Sequence, residues 1–437
     1  DRAVSASTRV PAGPVHLNVP FRKPLEPTPV EGDVPEGFEN DAPLAATGRP
    51  GGFVSTTRGR PTLSDDEVGG HAETIETAER GLVVAGPADP VDLAAGAPAA
   101  VAELAAAAGF PLLADPLSGA RFGPLLESTT VCGGYDSYLG TDAVADWPDP
   151  DLVLRVGASP TSQALQDYLA GTGATQLLVD PAGDWREATF TATDVVEADP
   201  GWLADALAGR VDAADDGSDE WLDRFRRAEA AHWAAVGDES RFFEGAVLAA
   251  AIEDAPNPAT LFVSNSMPVR DADRFGRPSS KELTVLGNRG ASGIDGITST
   301  ALGAGSATED PLVLVTGDLA YYHDMNGLLA LSRCGVDATI VVVDNDGGGI
   351  FHILPIAEHD AFEEWFVTPH GLDFAQTGEL YDLAFSRVDS LEGFRTMYRD
   401  SLDSDGTQVV CVETDAGASF AIRDELAAAV NDELAGQ

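Results

Sequence analysis

Basic side chains are scarce in this chain. Its 437 residues carry 26 Lys and Arg against 72 Asp and Glu, a formal charge of −46, and only Lys23 and Lys281 are lysines. A field of that sign repels nucleic acid and anionic membrane surfaces, which excludes both as partners. The acidic residues are spread along the chain rather than gathered in a tail. With 44% hydrophobic residues in clear apolar runs, the composition reads as a solvated acidic shell of halophilic type on a folded protein, not as disorder. Salt would screen the self-repulsion, because the Debye length falls to about 3 Å at 1 M, so the fold is expected to loosen in low salt. Cysteine is scarce as well. Cys132, Cys334 and Cys411 are isolated and odd in number, which excludes a disulfide framework or a zinc spacing and leaves buried apolar fillers. Long apolar runs are missing. The start carries no signal-peptide core, and the Ala-rich stretch from Leu93 to Phe110 is broken by Pro98 and Glu103. A cytoplasmic address is expected. Neither G-x-G-x-x-G nor G-x-x-x-x-G-K-[ST] is present, which argues against a dinucleotide or nucleotide module.

The apolar runs that are present alternate with helical patterns, which predicts parallel sheets. Residues 1–75 read as irregular linker rich in Pro, Gly, Thr and Asp, with one short strand at 15–19. Residues 76–211 read as a first α/β domain, with strands at 82–86, 112–114, 152–157 and 176–180 and a helix at 92–108. An acidic hinge at 212–219 and a helix at 220–233, with Trp221, Phe225 and Ala228 on one face, fill the linker 212–239. Residues 240–437 read as a second α/β domain, with strands at 260–263, 283–286, 312–315, 340–343 and 408–412. The expected fold is therefore α/β: two doubly wound parallel-sheet domains preceded by an irregular linker.

The sharpest pattern lies in the second domain. Asp318 follows the run Leu312-Val313-Leu314-Val315 within Thr316-Gly317-Asp318-Leu319, and Asn345 follows Ile340-Val341-Val342-Val343 within Asp344-Asn345-Asp346-Gly347. The gap of 345 − 318 = 27 residues holds a helical pattern, so the segment reads as strand, helix, strand: one right-handed crossover. Both polar residues then sit at the carboxyl ends of strands, where open α/β sheets bind ligands. A carboxylate, a side-chain carbonyl and a backbone carbonyl at Gly347 are three hard ligands. Mg²⁺ takes about six oxygens and usually shares them with phosphate and water. Gly347-Gly348-Gly349 lets backbone approach a bulky anion, and a helix starting there would add N–H groups. Either residue alone would read as a helix cap or a turn. The pair at this spacing, with the glycines, predicts a metal-bridged diphosphate.

That pattern resembles the thiamine diphosphate motif of the enzyme superfamily named for the cofactor, although the family's usual Asn-Asn doublet is Asp344-Asn345 here. Further segments narrow the likeness: Asn265-Ser266-Met267-Pro268-Val269-Arg270-Asp271, Asn288-Arg289-Gly290-Ala291-Ser292-Gly293-Ile294-Asp295-Gly296, Thr368-Pro369-His370-Gly371-Leu372-Asp373-Phe374 and Gly13-Pro14-Val15-His16-Leu17-Asn18-Val19-Pro20-Phe21-Arg22. Together they are similar to the MenD family, the 2-succinyl-5-enolpyruvyl-6-hydroxy-3-cyclohexene-1-carboxylate synthases of menaquinone biosynthesis. The likeness runs from about Gly13 to the C-terminus and is strongest from Leu261 to Tyr381.

The resemblance implies a central domain and a C-terminal diphosphate-binding domain, with thiamine diphosphate and Mg²⁺ (or Mn²⁺) as cofactors. It assigns the metal to Asp318, Asn345 and Gly347, and the cofactor to these with Ser292, Gly293, Ile294, Gly317, Leu319, Ala320, Gly348, Gly349 and Ile350. Ile294 matches the apolar wedge that bends the cofactor; ordinary core packing is the competing reading. Ser266, Arg270 and Arg289 would line the substrate pocket, with Ile350, Phe351 and Leu354 as its apolar wall. The implied reaction is decarboxylation of 2-oxoglutarate and conjugate addition of the resulting succinyl semialdehyde carbanion to isochorismate. Each substrate has two carboxylates, and Arg presents a planar fork to such groups. The competing reading pairs these arginines with Asp271, Asp273 or Asp295. His352 and His370 receive no catalytic role. Gln163 stands where a family Lys is expected, which would weaken one carboxylate contact. A homodimer or homotetramer is implied.

No catalytic residue is identifiable. The family's glutamate belongs to an N-terminal pyrimidine-binding domain, and residues 1–22 read as the tail of such a domain, with about 150 residues of it not seen. Glu26, Glu31, Glu36 and Glu39 lie in Pro-rich linker. A general acid–base step contributes about 10²–10⁴-fold, so the 437-residue chain alone is expected to show little or no synthase activity. The missing part could be encoded upstream, supplied by another chain, or lost. Two alternatives stay open: another thiamine diphosphate enzyme, of acetolactate synthase or 2-oxo acid decarboxylase type, and a non-catalytic truncated subunit.

Overall fold

The computed structural model describes every residue except 22, 24, 27–29, 90–92, 94, 95, 125–127, 212–217, 292 and 437. Within the described residues two six-stranded sheets form, and every strand pair is parallel. The first contains β1 Gly81–Ala85, β2 Leu112–Ala114, β3 Val131–Cys132, β4 Leu152–Val156, β5 Thr175–Val179 and β6 Asp194–Val196, in the order β3-β2-β1-β4-β5-β6. The second contains β7 Ala259–Val263, β8 Leu283–Leu286, β9 Leu312–Gly317, β10 Thr339–Asp344, β11 Ala384–Val388 and β12 Gln408–Glu413, in the order β11-β12-β10-β9-β7-β8. The two-domain, doubly wound α/β expectation holds. β1 and β7 are buried at every residue, as strands covered on both faces by helices must be.

In the second sheet, β7 leads outward to β8 on one side, and the chain returns to β9 on the other. The boundary between β7 and β9 is thus the point where strand order reverses, and a crevice opens there beyond the carboxyl ends. The equivalent point of the first sheet, between β1 and β4, is closed by its own backbone. A Cβ on Gly86 would lie 1.7 Å from the Ala158 carbonyl oxygen, and the space left beside it is about 20 Å³.

The two domains are bolted together by polar and aromatic contacts. Arg121 is fully buried: its Nε donates to the Ala114 carbonyl (2.7 Å) at the end of β2, and its Nη2 donates to Asp273 Oδ1 (2.7 Å) and Tyr135 Oη (3.0 Å). Asp273 belongs to helix Met267–Phe275, so the first domain fixes the helix that carries Arg270. Helix Ser218–Asp238 packs Trp221, Phe225 and Ala228 in one cluster with Leu82, Val84 and Val430, joining the first sheet to the C-terminal helix Ala416–Ala435.

Four expectations need correction. Residues 15–19 form no strand: Val15, Leu17 and Val19 are exposed, and 15–19 pair with no strand among the described residues. The stretch up to 75 is not irregular throughout. Helix Asp65–Thr77 begins at a capping box in which Ser64 N donates to Glu67 Oε2 (2.8 Å), and it buries Val68, Ala72 and Ile75 in the first core. The Ala-rich helix spans Ala97–Ala108, because Gly96 adopts the left-handed conformation (φ 77°) in front of it; 90–92, 94 and 95 lie outside the described residues, as does most of the acidic hinge. Finally, Cys132 and Cys411 are buried, but Cys334 is exposed at the end of helix Leu329–Cys334.

Candidate active site

A cavity of about 370 Å³ occupies the crevice at the strand-order reversal. Its walls come from the turns after β7 (Ser264 to Pro268), after β9 (Gly317 to Ala320) and after β10 (Asn345 to Phe351), with Arg270, Arg289, Ile294 and Glu244.

Asp318 opens helix Asp318–Asp324 directly after β9. Its Oδ1 accepts from the Leu319 N–H (2.6 Å), and its Oδ2 accepts from the Gly347 N–H (2.9 Å) and from His370 Nε2 (3.2 Å). Leu372 N–H donates to His370 Nδ1 (3.0 Å), so Nε2 carries the proton and donates to Asp318. Burial pushes the Asp318 carboxyl up to about 6, against the pull of the two backbone N–H groups. A cation at the site would restore the ionised form. Asn345 follows β10. Its Nδ2 donates to Glu244 Oε1 (2.8 Å), while its Oδ1 is buried and has no hydrogen-bond partner among the described residues. A buried carbonyl oxygen is seldom left that way unless it serves another ligand.

The glycines are required by contact. Gly347 has φ +152°, and a Cβ there would stand 2.3 Å from the Val367 carbonyl oxygen. A Cβ on Gly349 would stand 2.6 Å from Asn345 Nδ2. The chain continues from them into a 3₁₀ turn, Gly349–Ile353, rather than the α-helix that the glycine run suggested.

These groups fit a divalent cation with a diphosphate: hard oxygens from Asp318 and Asn345, one of them orphaned, beside a glycine cradle. Asp318, Asp344 and His370 also bring one ligand atom each within 4.8 Å of one another. Asp344 and His370 do not line the cavity, and Asp344 Oδ2 is engaged by the Cys411 thiol (3.6 Å). The orphaned oxygen favours Asn345 as the partner of Asp318.

The other end of the cavity is cationic. Helix Met267–Phe275 starts at Ser266, which holds φ 73°, and Arg270 Nη1 donates to the Ser266 carbonyl (2.8 Å). Asn265 ties the loops together. Its Nδ2 donates to the carbonyls of Asn288 (2.7 Å) and Gly293 (2.8 Å), and its Oδ1 accepts from Arg289 Nη1 (3.0 Å). Among the described residues no carboxylate lies within ion-pair distance of Arg270 or Arg289. Asp271 pairs with Arg423, Asp273 with Arg121, and Asp295 meets His323. Burial, and then the charge of Arg289, hold the Arg270 pKa below its ordinary value.

Of the expected site residues, Ser266, Arg270, Arg289, Ile294, Gly317, Asp318, Leu319, Ala320, Asn345, Gly347, Gly348, Gly349, Ile350 and Phe351 all line this one cavity. Ile294 also packs against the core beneath it. Gly293 lies behind the wall, bonded to Asn265. Leu354 is 42% exposed and does not line the cavity, because the 3₁₀ turn ends before it. Ser292 lies outside the described residues. Gln163 is an exposed residue of helix Gln163–Gly171, bonded to Asp167 (2.8 Å), and does not line the cavity. Sequence reasoning missed Glu244, Asn265 as a hub, and His370 as a partner of Asp318. Asn265 and His370 stand within the motifs of the second domain; Glu244 carries no local signal.

Residues 271–430 match the family described as the thiamine pyrophosphate enzyme C-terminal TPP binding domain. The 2-succinyl-5-enolpyruvyl-6-hydroxy-3-cyclohexene-1-carboxylate synthase of Haloarcula marismortui is 56% identical over 100% of this chain and 74% of its own length. The protein of that name from Natronomonas pharaonis is 55% identical over 99% of this chain and 73% of its own. Among solved structures, benzoylformate decarboxylase from Polynucleobacter necessarius shares the fold (TM-score 0.60, 17% identity, 84% of this chain and 68% of that one). So does the 4-hydroxybenzoylformate decarboxylase of Rhodococcus jostii (TM-score 0.58, 21% identity, 83% and 66%). The chain belongs to the 2-succinyl-5-enolpyruvyl-6-hydroxy-3-cyclohexene-1-carboxylate synthase family of thiamine diphosphate enzymes.

Proposed function

We propose that this site performs the family's transfer: decarboxylation of 2-oxoglutarate and addition of the remaining four-carbon unit to the conjugated alkene of isochorismate, in menaquinone biosynthesis. The observation that carries the reading is the pair Arg270 and Arg289, two cations in one cavity with no carboxylate partner among the described residues, opposite an orphaned Asn345 Oδ1. A dicarboxylate supplies the missing counter-charge at the arginine end, by bidentate contacts to a planar fork. Mg²⁺ or Mn²⁺ held by Asp318, Asn345 and the Gly347 carbonyl would anchor the diphosphate, with Gly348 and Gly349 admitting it closely. When bound, thiamine diphosphate supplies an electron sink for the charge left at the keto carbon as CO₂ departs.

This chain's own residues do the rest. Ile350 and Phe351 keep water from the reacting carbon, and Ile294 supports the cofactor's ring portion. Arg270 and Arg289 fix the substrate carboxylates, so that the keto carbon is held rather than found by diffusion. Asn265 holds Arg289 in place by its Oδ1. The test is CO₂ release, with any required partner polypeptide supplied: 2-oxoglutarate should be turned over and pyruvate, with one carboxylate, should not. Equal rates would sink the substrate assignment.

A homo-oligomer belongs to the same proposal. Tyr322, Leu329, Ile353, Leu354 and Trp365 are large apolar side chains left exposed on segments that follow β9 and β10. Sedimentation in molar salt would show a monomer if that is wrong. No helix among the described residues is long and apolar enough to cross a membrane, and a cytoplasmic, halophilic setting completes the proposal.

A further inference from the structure

Glu244 is the first residue of helix Glu244–Asp254 and is 2% exposed. Among the described residues it has no cation within ion-pair distance. Burying a carboxylate without a counter-charge is costly, so its retention asks for a reason. Its Oε1 accepts from Asn345 Nδ2 (2.8 Å) and from Thr414 Oγ1 (3.3 Å), and its backbone N–H donates to Ser419 Oγ (3.2 Å). An amide can present either its NH₂ or its oxygen. Glu244 Oε1 is an acceptor, for Thr414 Oγ1 as well as for the amide, so Asn345 meets it through the NH₂, and that orientation sends Asn345 Oδ1 away from Glu244. That oxygen is buried and has no hydrogen-bond partner among the described residues. Gly349 packs against the same Nδ2, with space for no Cβ.

We propose that Glu244 is a positioning residue that locks the Asn345 amide with its carbonyl oxygen toward the divalent cation. This rests on the reading of Asn345 as a metal ligand. Partners that orient a metal ligand without touching the metal typically change metal affinity about 10–100-fold when removed. Glu244→Leu keeps the volume and removes the acceptor. In the full chain with thiamine diphosphate, its Mn²⁺ affinity, read by electron paramagnetic resonance in molar KCl, should fall by about 10–100-fold. Thr414→Val removes the other contact to the same oxygen and should leave the affinity within about twofold, since the amide lock survives. A purely structural Glu244 would lower the melting temperature and leave the metal affinity of the folded protein unchanged; that result overturns the proposal. Asn345→Leu is measured alongside. If it too binds Mn²⁺ normally, the ligand reading itself has failed; if it alone loses Mn²⁺, only the positioning role has failed. Should Glu244→Leu not fold, Glu244→Met carries the test. It too removes the acceptor for Asn345 Nδ2, and wild-type Mn²⁺ affinity in that folded variant would overturn the proposal.

Discussion

Gly349→Ala is the most economical perturbation of the site. The backbone at Gly349 is not in the left-handed region, so alanine fits the main chain. Only the new methyl matters. It would lie 2.6 Å from Asn345 Nδ2, and its next neighbours, Ala416 Cβ and Asn345 Cγ, stand at an ordinary 3.4 Å. Restoring van der Waals contact moves the amide by about 0.8 Å, enough to break a 2.8 Å hydrogen bond to Glu244. A hydrogen bond to a charged group contributes about 1.5–3 kcal/mol. Loss of the fixed amide should weaken metal binding by a similar amount, about 10–100-fold at 1.4 kcal/mol per decade. Stability should fall by about 0.5–2.6 kcal/mol, the lost bond being partly offset by about 0.4–1 kcal/mol from the stiffer unfolded chain. Calorimetric titration of Mn²⁺ with thiamine diphosphate present, beside a thermal melt, separates the two. Unchanged metal affinity in a folded Gly349→Ala variant would refute the reasoning. In Gly348→Ala the methyl would meet the Phe351 ring at 2.7 Å and the Phe366 carbonyl oxygen at 2.8 Å, so the loop itself must shift and substrate KM should rise along with the loss of metal affinity.

The same geometry sets other expectations. Arg270→Leu removes one unpaired cation, and loss of a charge-assisted contact of about 1.5–3 kcal/mol should raise KM for 2-oxoglutarate by about 10–100-fold; an unchanged KM removes Arg270 from the pocket. His232 is buried between Ser137 Oγ (2.7 Å) and the Arg274 carbonyl (2.9 Å), and burial, then the Arg274 charge, hold its pKa down to about 3. Between the unfolded value near 6.5 and about 3 the unfolded chain binds the extra proton, so this contribution is intact above pH 6.5 and is lost progressively as pH falls through that window. The loss is at most about 5 kcal/mol. His232→Gln should flatten the acid side of a plot of melting temperature against pH; parallel curves would contradict the assignment. The charge of −46 should make the melting temperature rise steeply with KCl, and a salt-independent melt would dispose of the halophilic reading.

The legible parts of this molecule are those where chemistry or burial is written locally. β7, β9, β10 and β12 are continuous apolar runs, and each is readable as a strand. β3 has two residues, β6 has three, and β11 is half exposed along most of its length, so none of them carries a distinctive period. The capping box Ser64-Asp65-Asp66-Glu67 is present in the sequence, yet its Pro- and Gly-rich surroundings hide the helix behind it. Asp318 and Asn345 are recognisable because each closes an apolar strand. Glu244 is not, since it meets Asn345 across 101 residues of chain. The arginines show why sequence adjacency misleads. Asp271 follows Arg270 directly, but successive residues on a helix face different ways, and Asp271 is taken by Arg423. The cation that looks neutralised in the sequence has no carboxylate partner among the described residues of the fold.

In the proposed site, Asp318 and Asn345 grip one divalent cation that bridges a diphosphate. Mn²⁺ titrated by electron paramagnetic resonance in molar KCl, with thiamine diphosphate or thiamine monophosphate present, tests it most directly. One tight Mn²⁺ per chain is expected with the diphosphate, weak binding with the monophosphate, and loss of the tight site in Asp318→Ala and in Asn345→Leu. Tight Mn²⁺ binding that survives both substitutions, or that is indifferent to the second phosphate, would contradict it.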